Sequence, residues 1–537
     1  MKFFFFVFII CVILLYPLFT HPFYDSHDGE AHVARFAAYY QGFQDGQFPV
    51  RWAGNLNFGY GTAVFIFYYP LPGYIASLLH FFGINFQDIF KLLIISCFIL
   101  SSYTFYLWTR IIFKNKTAVL GGLLYGLAPY HFLNLYVRGD IAELLAFVFV
   151  PLVFWSIEKI IIKKGTFFIV MGALFYGLLT LSHNGVSLMF SPIFLLYVII
   201  RSERKKIFFR AINIFILGLL FSAFFWLPAL YESKYVNAQL FIGDMYKNHF
   251  PTLFQLIYSK WGFGADVKEV GGLSPQIGII YIIFVIVSCF LWFKARKQKK
   301  LLGAWILVFF CSIFIVLPIS NVVWKNIEIL RLYEFPWRFI GLASFSASVL
   351  ACFVLEKIKD KKIFIILFLF IFITSLPFIA VKGYISKSDY FYESYLGTTY
   401  YHGEASPIWM AGDPDKKAKQ QIDIIGCKGV INNLKKKTQE HTFTITAIEN
   451  VIVLDNTAYF PGWQAMIDGK KIPIQFQDSN HRGLITFNVP KGKHNIKVMF
   501  TESPIRRFAD ILSLLGLLIM VVLFVKELYN NKYMKHL

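Results

Sequence analysis

The sequence predicts a mostly α-helical, polytopic membrane protein of about 12 transmembrane helices, with a small extracytoplasmic β-sandwich domain before the last helix. Three observations carry this reading. The 537 residues are 57% hydrophobic and 19% aromatic, with a mean hydropathy of +0.58. Apolar runs of about 18 residues or more recur along the chain, each long enough to cross a hydrocarbon core. The Lys and Arg residues gather in short clusters at 110–116, 159–164, 201–210, 294–300, 357–362 and 526–535, and the apolar runs thread between them in pairs.

With those clusters on the cytoplasmic side, the spans fall near 3–20, 87–110, 117–136, 141–162, 166–182, 186–200, 207–230, 274–293, 301–318, 339–356, 362–379 and 507–527. Both termini are then inside a plasma membrane. The formal charge of +21 reflects basic inner loops. No basic stripe carries interleaved base-stacking aromatics, so the bilayer, not nucleic acid, is the expected partner. Residues 1–20 carry only Lys2 ahead of the apolar run and no small-x-small site, so they read as an uncleaved anchor. Cys11, Cys97, Cys289, Cys311 and Cys352 lie inside apolar runs and Cys427 stands alone, which gives no disulfide framework.

One apolar stretch breaks the parity. In "FYYPLPGYIASLLHFFG" (67–83), Pro70, Pro72 and Gly73 leave too little clean helix to cross. It reads as a re-entrant or surface-lying helix on the outer side, and the amphipathic segment 29–44 is expected to lie there too. The outer loops are then 24–85, 138–140, 183–184, 231–272, 320–337 and a long region from about 382. The organisation is a transmembrane domain at 1–381 with its first outer loop at 21–86, a β-rich domain at 382–505, and a final helix with a basic tail at 506–537. "HTFTITAIE", "NVIVLDNTAYF", "GLITFNV" and "HNIKVMF" read as strands, and "MIDGKKIPI" carries an Asp-Gly turn.

Three outer stretches hold residues suited to chemistry. In "YDSHDGEAH" (24–32), Asp25, Asp28, Glu30 and His32 cluster at the end of the first apolar run. Asp28 suits a general base or a divalent-metal ligand; the plain alternative makes Asp25 a helix N-cap and Asp28 a first-turn acid. The His27 and His32 pair lacks zinc-ligand spacing. In "LYVRGDIAELL", Asp140 and Glu143 have capping-box-like spacing, and Arg138 can pair with Asp140. In "LRLYEFPWRF", Pro336 starts a helix and Arg338 sits in its first turn, where the macrodipole disfavours a cation and a phosphate would relieve it. An interfacial Arg snorkelling beside Trp337, or pairing with Glu334, is the alternative. "SHNG", with His183, reads as a turn between two helices.

"HDGEAH", the "FGYGTAVFIFYYPLPGYIASLLHFFG" run, "LYGLAPY", "YVRGDIAELLAF", "LSHNG" and "FPWRF" resemble the bacterial membrane proteins labelled 6-pyruvoyl-tetrahydropterin synthase-related. The resemblance covers most of 1–380. No soluble pterin-enzyme pattern or zinc triad accompanies it. The closing "YFPGWQAMIDGKKIPI…GLITFNVPKGKHNIKVMF" looks like the C-terminal domain of YfhO-type membrane proteins. Both groups are similar in layout to the GT-C superfamily of glycosyltransferases. That similarity implies an essential acid in the first outer loop, which Asp28 matches best, with Asp25 or Glu30 as rivals, and a second-loop acid, which Asp140 matches. It implies a polyprenyl-phosphate-linked sugar donor and an extracytoplasmic acceptor. Arg338, Arg331, Arg138 and His183 are the expected substrate or phosphate ligands, with Asp25, Glu30, His32 and Glu143 in support. A divalent cation (Mg or Mn) is left open; if one takes part, Asp28 and Asp140 are its expected ligands. The competing class is a non-enzymatic membrane protein for transport or assembly of lipid-linked polysaccharide.

Overall fold

The computed structural model describes residues 12–533 apart from 164, 203, 239–242, 297, 401–402, 411, 413 and 427–428. Half of the span expected at 3–20 (3–11) therefore lies outside the described residues, as do Cys11 and Cys427. The other expected spans all correspond to helices. Seven are long and apolar enough to cross a bilayer: Phe86–Thr109, Ile141–Lys163, Asn184–Arg201, Lys299–Val316, Pro336–Leu355, Lys361–Phe378 and Pro504–Tyr529. The Lys205–Phe221 and Ala223–Tyr235 helices meet at 68° and make an eighth if taken as one span.

Among the described residues, the remaining expected spans depart from one long straight helix for local reasons. Thr166–Ser182 and Ile279–Lys294 are apolar but shorter. The run near 117–136 is broken: Asn115–Gly126 stops before Pro129, and the chain re-forms as a π-helical turn over Leu133–Arg138. Extra residues per turn in a π segment re-aim side chains and recur at functional sites. Here the segment ends in left-handed Gly139 (φ 65°), which turns the chain into Asp140. The Leu71–Phe81 helix has 11 residues and is too short to cross.

Small residues bring the spans together. A Cβ on Gly126 would lie 1.6 Å from the Ser102 Oγ, so this approach between Phe86–Thr109 and Asn115–Gly126 admits only glycine. Aromatic rings fill the space between spans: Trp108 stacks on Phe154 (4.6 Å) and on Phe345 (5.6 Å).

The segment expected to lie on the surface is instead largely internal. Ten residues of the Gly29–Gln44 helix are buried, including His32 and Arg35. Its entry is tied down by a short antiparallel pair, β1 (Phe23–Tyr24) with β2 (Tyr384–Ile385). Asp25 pairs with Lys382 at 2.9 Å and Glu30 with Lys387 at 2.7 Å.

Beyond residue 420 the chain forms two antiparallel sheets. One is ordered β4 (Gly429–Lys437), β5 (Glu440–Ala447), β10 (Gly492–Phe500), β7 (Trp463–Ile467), β8 (Lys470–Ile472). The other is β3 (Ile422–Ile425), β6 (Val451–Ala458), β9 (Leu484–Val489). Alternate side chains such as Phe443, Ile445, Val453, Phe487 and Val498 share one core. Asp468 and Gly469, at φ 48° and 81°, form the β7–β8 turn as the Asp-Gly signal requires.

The sheets are bound to the helical part by buried charge. Arg506, fully buried, meets Glu232 at 2.9 Å and donates to the Pro461 carbonyl. Arg51 reaches Asp510 at 2.8 Å and Glu502 at 3.4 Å. Trp52 sets its edge on Trp463 at 5.3 Å, and Asp45 accepts from the Thr438 amide at 2.6 Å. Removing one partner of a buried ion pair costs about 3–5 kcal/mol, whereas replacing both is far milder. Arg506→Met should therefore lower the unfolding temperature of detergent-purified protein sharply, and the Arg506→Met/Glu232→Leu double variant should recover most of it. Equal melting of single and double variants contradicts this account.

Candidate functional site

The site is assembled where the first loop meets the end of the π segment. The Asp28 amide donates to the Arg138 carbonyl at 2.8 Å and the His27 amide to the Val137 carbonyl at 3.0 Å. These two bonds place the start of the Gly29–Gln44 helix beside residues 138–140. Asp28 occupies the N-cap position of that helix, yet its carboxylate makes no capping bond. The expected cap, Asp25, is turned outward to Lys382.

Around Arg138 the contacts are dense. Its guanidinium reaches Asp140 at 2.6 Å and Glu143 at 2.9 Å, and also donates to Asn134. All three charged side chains are nearly fully buried. Asp140 caps the Ile141–Lys163 helix through one oxygen, which accepts from the amides of Ala142 and Glu143 at 3.1 and 3.0 Å. Glu143 does not close a capping box. It accepts from the Tyr130 hydroxyl (2.8 Å) and the Asn134 amide (3.1 Å), and lies 3.7 Å from Arg338 and 4.0 Å from the His183 Nε2. Arg338 also holds Glu334 at 3.1 Å.

Asp28, Asp140 and Arg338, which the sequence leaves in separate loops, are thus joined through Arg138 and Glu143. His183 is both a turn and a member of the cluster. Its Nδ1 accepts from the Val186 amide at 3.2 Å, capping the next helix. That bond leaves the ring proton on Nε2, facing Glu143. Tyr69 stacks on His183 at 5.2 Å and faces His32 at 6.3 Å. A small pocket of about 230 Å3, open mouth included, is lined by Glu143, His183, Met189, Tyr333 and Arg338. Its enclosed part holds little more than a water.

The electrostatics separate the two aspartates. Burial raises the Asp28 carboxyl, and Asp140 adds to the effect against the opposing pull of Arg138, Arg35 and His27. Burial works against ionised Asp140 too, but Arg138 outweighs it and holds the carboxyl below its usual range. Burial pushes His32 down to about 3 and lowers His183 despite Glu143 and Asp140, so both imidazoles are neutral at physiological pH. One carboxylate is held in its charged form and committed; the other makes no capping bond and is shifted towards its protonated form.

Other expected residues lie apart. Glu30 is committed to Lys387. Arg331 donates to the Trp324 and Lys325 carbonyls and makes no contact with the cluster. Sequence reasoning missed Tyr69, Tyr130 and Asn134, which carry no charge to draw attention; it named Glu143 only in a supporting part and gave it capping-box-like spacing. Asp140, Glu143 and His183 present ligand atoms within 4.8 Å of one another, a donor set able to take a divalent cation. The Arg138 fork already sits against both carboxylates, so the three do not fit a metal without displacing it.

The profile of the family described as "6-pyruvoyl-tetrahydropterin synthase related domain; membrane protein" matches residues 65–382, and the chain belongs to that family. A protein of Lactococcus lactis subsp. cremoris (strain MG1363), described as "Uncharacterized protein", is 24% identical over 351 residues, which is 63% of this chain and 54% of the relative. Among solved structures, the arabinofuranosyltransferase AftD from Mycobacteria aligns with a TM-score of 0.43 at 13% identity, over 70% of this chain and 26% of that one. A mutant form of AftD aligns at 0.41 with 14% identity, over 69% and 27%. The chain thus spans about half the length of its curated relative and about a quarter of those solved chains.

Glu143 should be the most costly carboxylate of the cluster to remove, because it is the one shared by two arginines and each loses part of its counter-charge. Glu143→Ala is expected to destabilise by about 3–5 kcal/mol, against about 0–1 kcal/mol for Glu30→Gln at a partly exposed pair. Thermal unfolding of the two purified variants compares them directly.

Proposed function

We propose that this family member is a membrane glycosyltransferase, which moves a sugar from a polyprenyl-phosphate-linked donor to a glycan, lipid or protein acceptor outside the plasma membrane. The observation that carries the reading is Asp28: an unbonded carboxylate with a raised pKa, held at a helix N-terminus beside a buried cluster of arginines. Residues 1–381 form the catalytic membrane unit with its first outer loop at 21–86. Residues 382–505 form the extracytoplasmic β unit, and 506–537 the last span and a basic cytoplasmic tail. Both termini are cytoplasmic and the site faces outward.

In this reaction Asp28 accepts the proton of the acceptor hydroxyl as its oxygen bonds to the sugar's anomeric carbon. The bond from that carbon to the phosphate oxygen breaks through an oxocarbenium-like state. The lipid phosphate leaves with the electron pair, and Arg338 meets its charge from the pocket mouth. Arg138 stays with Asp140 and Glu143 and fixes the position of the Asp28 backbone. A divalent cation, if it takes part, enters at Asp140, Glu143 and His183 only by displacing the Arg138 fork; chelation by EDTA tests whether transfer needs one.

The decisive assay presents purified protein in liposomes with tritiated sugars on polyprenyl monophosphate. Asp28→Asn should cut transfer by about 100-fold or more, the usual range for losing a general base, with unfolding temperature unchanged. Wild-type transfer by Asp28→Asn, or no transfer by the wild type across the donor panel, favours a transport or assembly role instead. The pH profile supplies a second check. A base whose carboxyl is raised stays protonated to higher pH than an ordinary aspartate, so the acid limb of the rate should lie above the usual carboxylate range. Replacing Asp140 by Asn removes the like charge that raises Asp28 and should move that limb to lower pH.

A further inference from the structure

Four arginines are buried in the described residues: Arg35, Arg51, Arg138 and Arg506. Three have a carboxylate at contact distance. Arg51 has Asp510 and Glu502, Arg138 has Asp140 and Glu143, and Arg506 has Glu232. Arg35 differs. It is 8% exposed, and among the described residues no carboxylate lies within ion-pair distance of it. One terminal nitrogen donates to the Thr399 carbonyl, the guanidinium lies over the Tyr68 ring at 3.8 Å, and the Nε is buried without any partner. A carbonyl and a ring face do not neutralise a buried cation, and leaving such a charge uncompensated costs several kcal/mol.

Its position gives that free charge a use. Residues 28 and 35 lie about two turns apart on one helix and so on the same face. Asp28 and Glu404 act on Arg35 only at longer range. Tyr68 backs the guanidinium, and the neighbouring Tyr69 stacks on His183 in the Arg138–Glu143 cluster. Arg138 and Arg338, the other cations here, are occupied by Asp140, Glu143 and Glu334. Arg35 and Arg338 each keep a buried Nε without a hydrogen-bond partner, but of the three only Arg35 has no carboxylate at ion-pair distance among the described residues.

We infer that Arg35 binds a phosphate group of a membrane-borne ligand beside Asp28. This rests on the transferase reading only for the source of the phosphate, a lipid carrier, since the chemistry at Arg35 is that of a guanidinium holding phosphate oxygens. It makes Arg35 the residue that positions the donor, with Arg338 serving the departing charge. Chain order hides it: "HVARFAAYY" reads as an unremarkable helix.

Binding is measured on detergent-purified protein by intrinsic fluorescence with farnesyl phosphate, farnesol, phosphatidylglycerol and inorganic phosphate as probes. Farnesyl phosphate should bind and farnesol should not compete. Arg35→Gln should weaken farnesyl phosphate by at least about tenfold, the loss expected for a charge-assisted hydrogen bond, and Arg35→Lys should retain part of the affinity. Competition by inorganic phosphate or phosphatidylglycerol with the same dependence on Arg35 also supports a phosphate site, and assigns it to a free anion or to a bilayer headgroup. Unchanged farnesyl phosphate affinity in Arg35→Gln, or in Arg35→Lys should the first variant not fold, overturns the inference. Because the readout needs no turnover, Arg35-dependent binding without sugar transfer would overturn the proposed function and leave this site standing.

Discussion

The contact between Arg138 and Glu143 is the interaction on which the rest of the site depends. A guanidinium buried among membrane helices is tolerated only when its charge is met and its donors are used. Arg138 satisfies this by forking across Asp140 and Glu143. That places the end of the π segment and the first turn of the Ile141–Lys163 helix in one fixed relation. The Arg138 carbonyl then receives the Asp28 amide, and Arg338 and His183 gather on the same Glu143 oxygen, Oε1, that Arg138 meets. Four separate loops acquire one geometry from a single buried carboxylate.

The same economy explains why the first loop is internal. A loop between membrane helices has few apolar partners in water, so its ordering must come from specific ties. Here the ties run both ways. β1, Asp25 and Glu30 hold it to the 382–387 segment, while Asp45, Arg51 and Trp52 hold it to the sheets and the final helix. The β region is therefore a brace for the Gly29–Gln44 helix as well as a surface of its own. A shift of the sheets would be felt at Asp28 through a continuous chain of bonded contacts.

Much of this was legible in the residues, and the parts that were not share a physical reason. Period-2 patterning found β5, β6, β9 and β10, and hydropathy found the helices, because both signals are local. Hydropathy placed the helices but not their interruptions: it does not see the break between Gly126 and Pro129, nor the 68° bend near residue 222. Asp28, Asp140 and Arg338 stood out as charges at helix ends and do converge. Glu143 was given only a supporting part because D-x-x-E spacing also signals a capping box, and only tertiary packing turns its side chain towards Arg138. Arg331 stood out equally well and lies elsewhere, spent on two carbonyls. Tyr69, Tyr130 and Asn134 had no sequence signal at all, being ordinary residues made important by their neighbours.

Asp28 shows how such a framework produces a reactive group. Its position at a helix N-terminus would ordinarily lower a carboxylate's pKa and bind it to the first amides. The cap bond is absent, so the hydrogen-bonded part of that stabilisation is withheld, and burial beside Asp140 penalises the charged form further. Arg138 offsets the penalty only in part, because its charge is already met by Asp140 and Glu143 and its donors serve Asp140 and Asn134. A free arginine in that place would form an ion pair and leave Asp28 too weak a base to take a hydroxyl proton. Committing Arg138 elsewhere keeps the charge near without letting it close. The buried ion pairs are costly for folding, and their effect is to keep Asp28 both ordered and unspent.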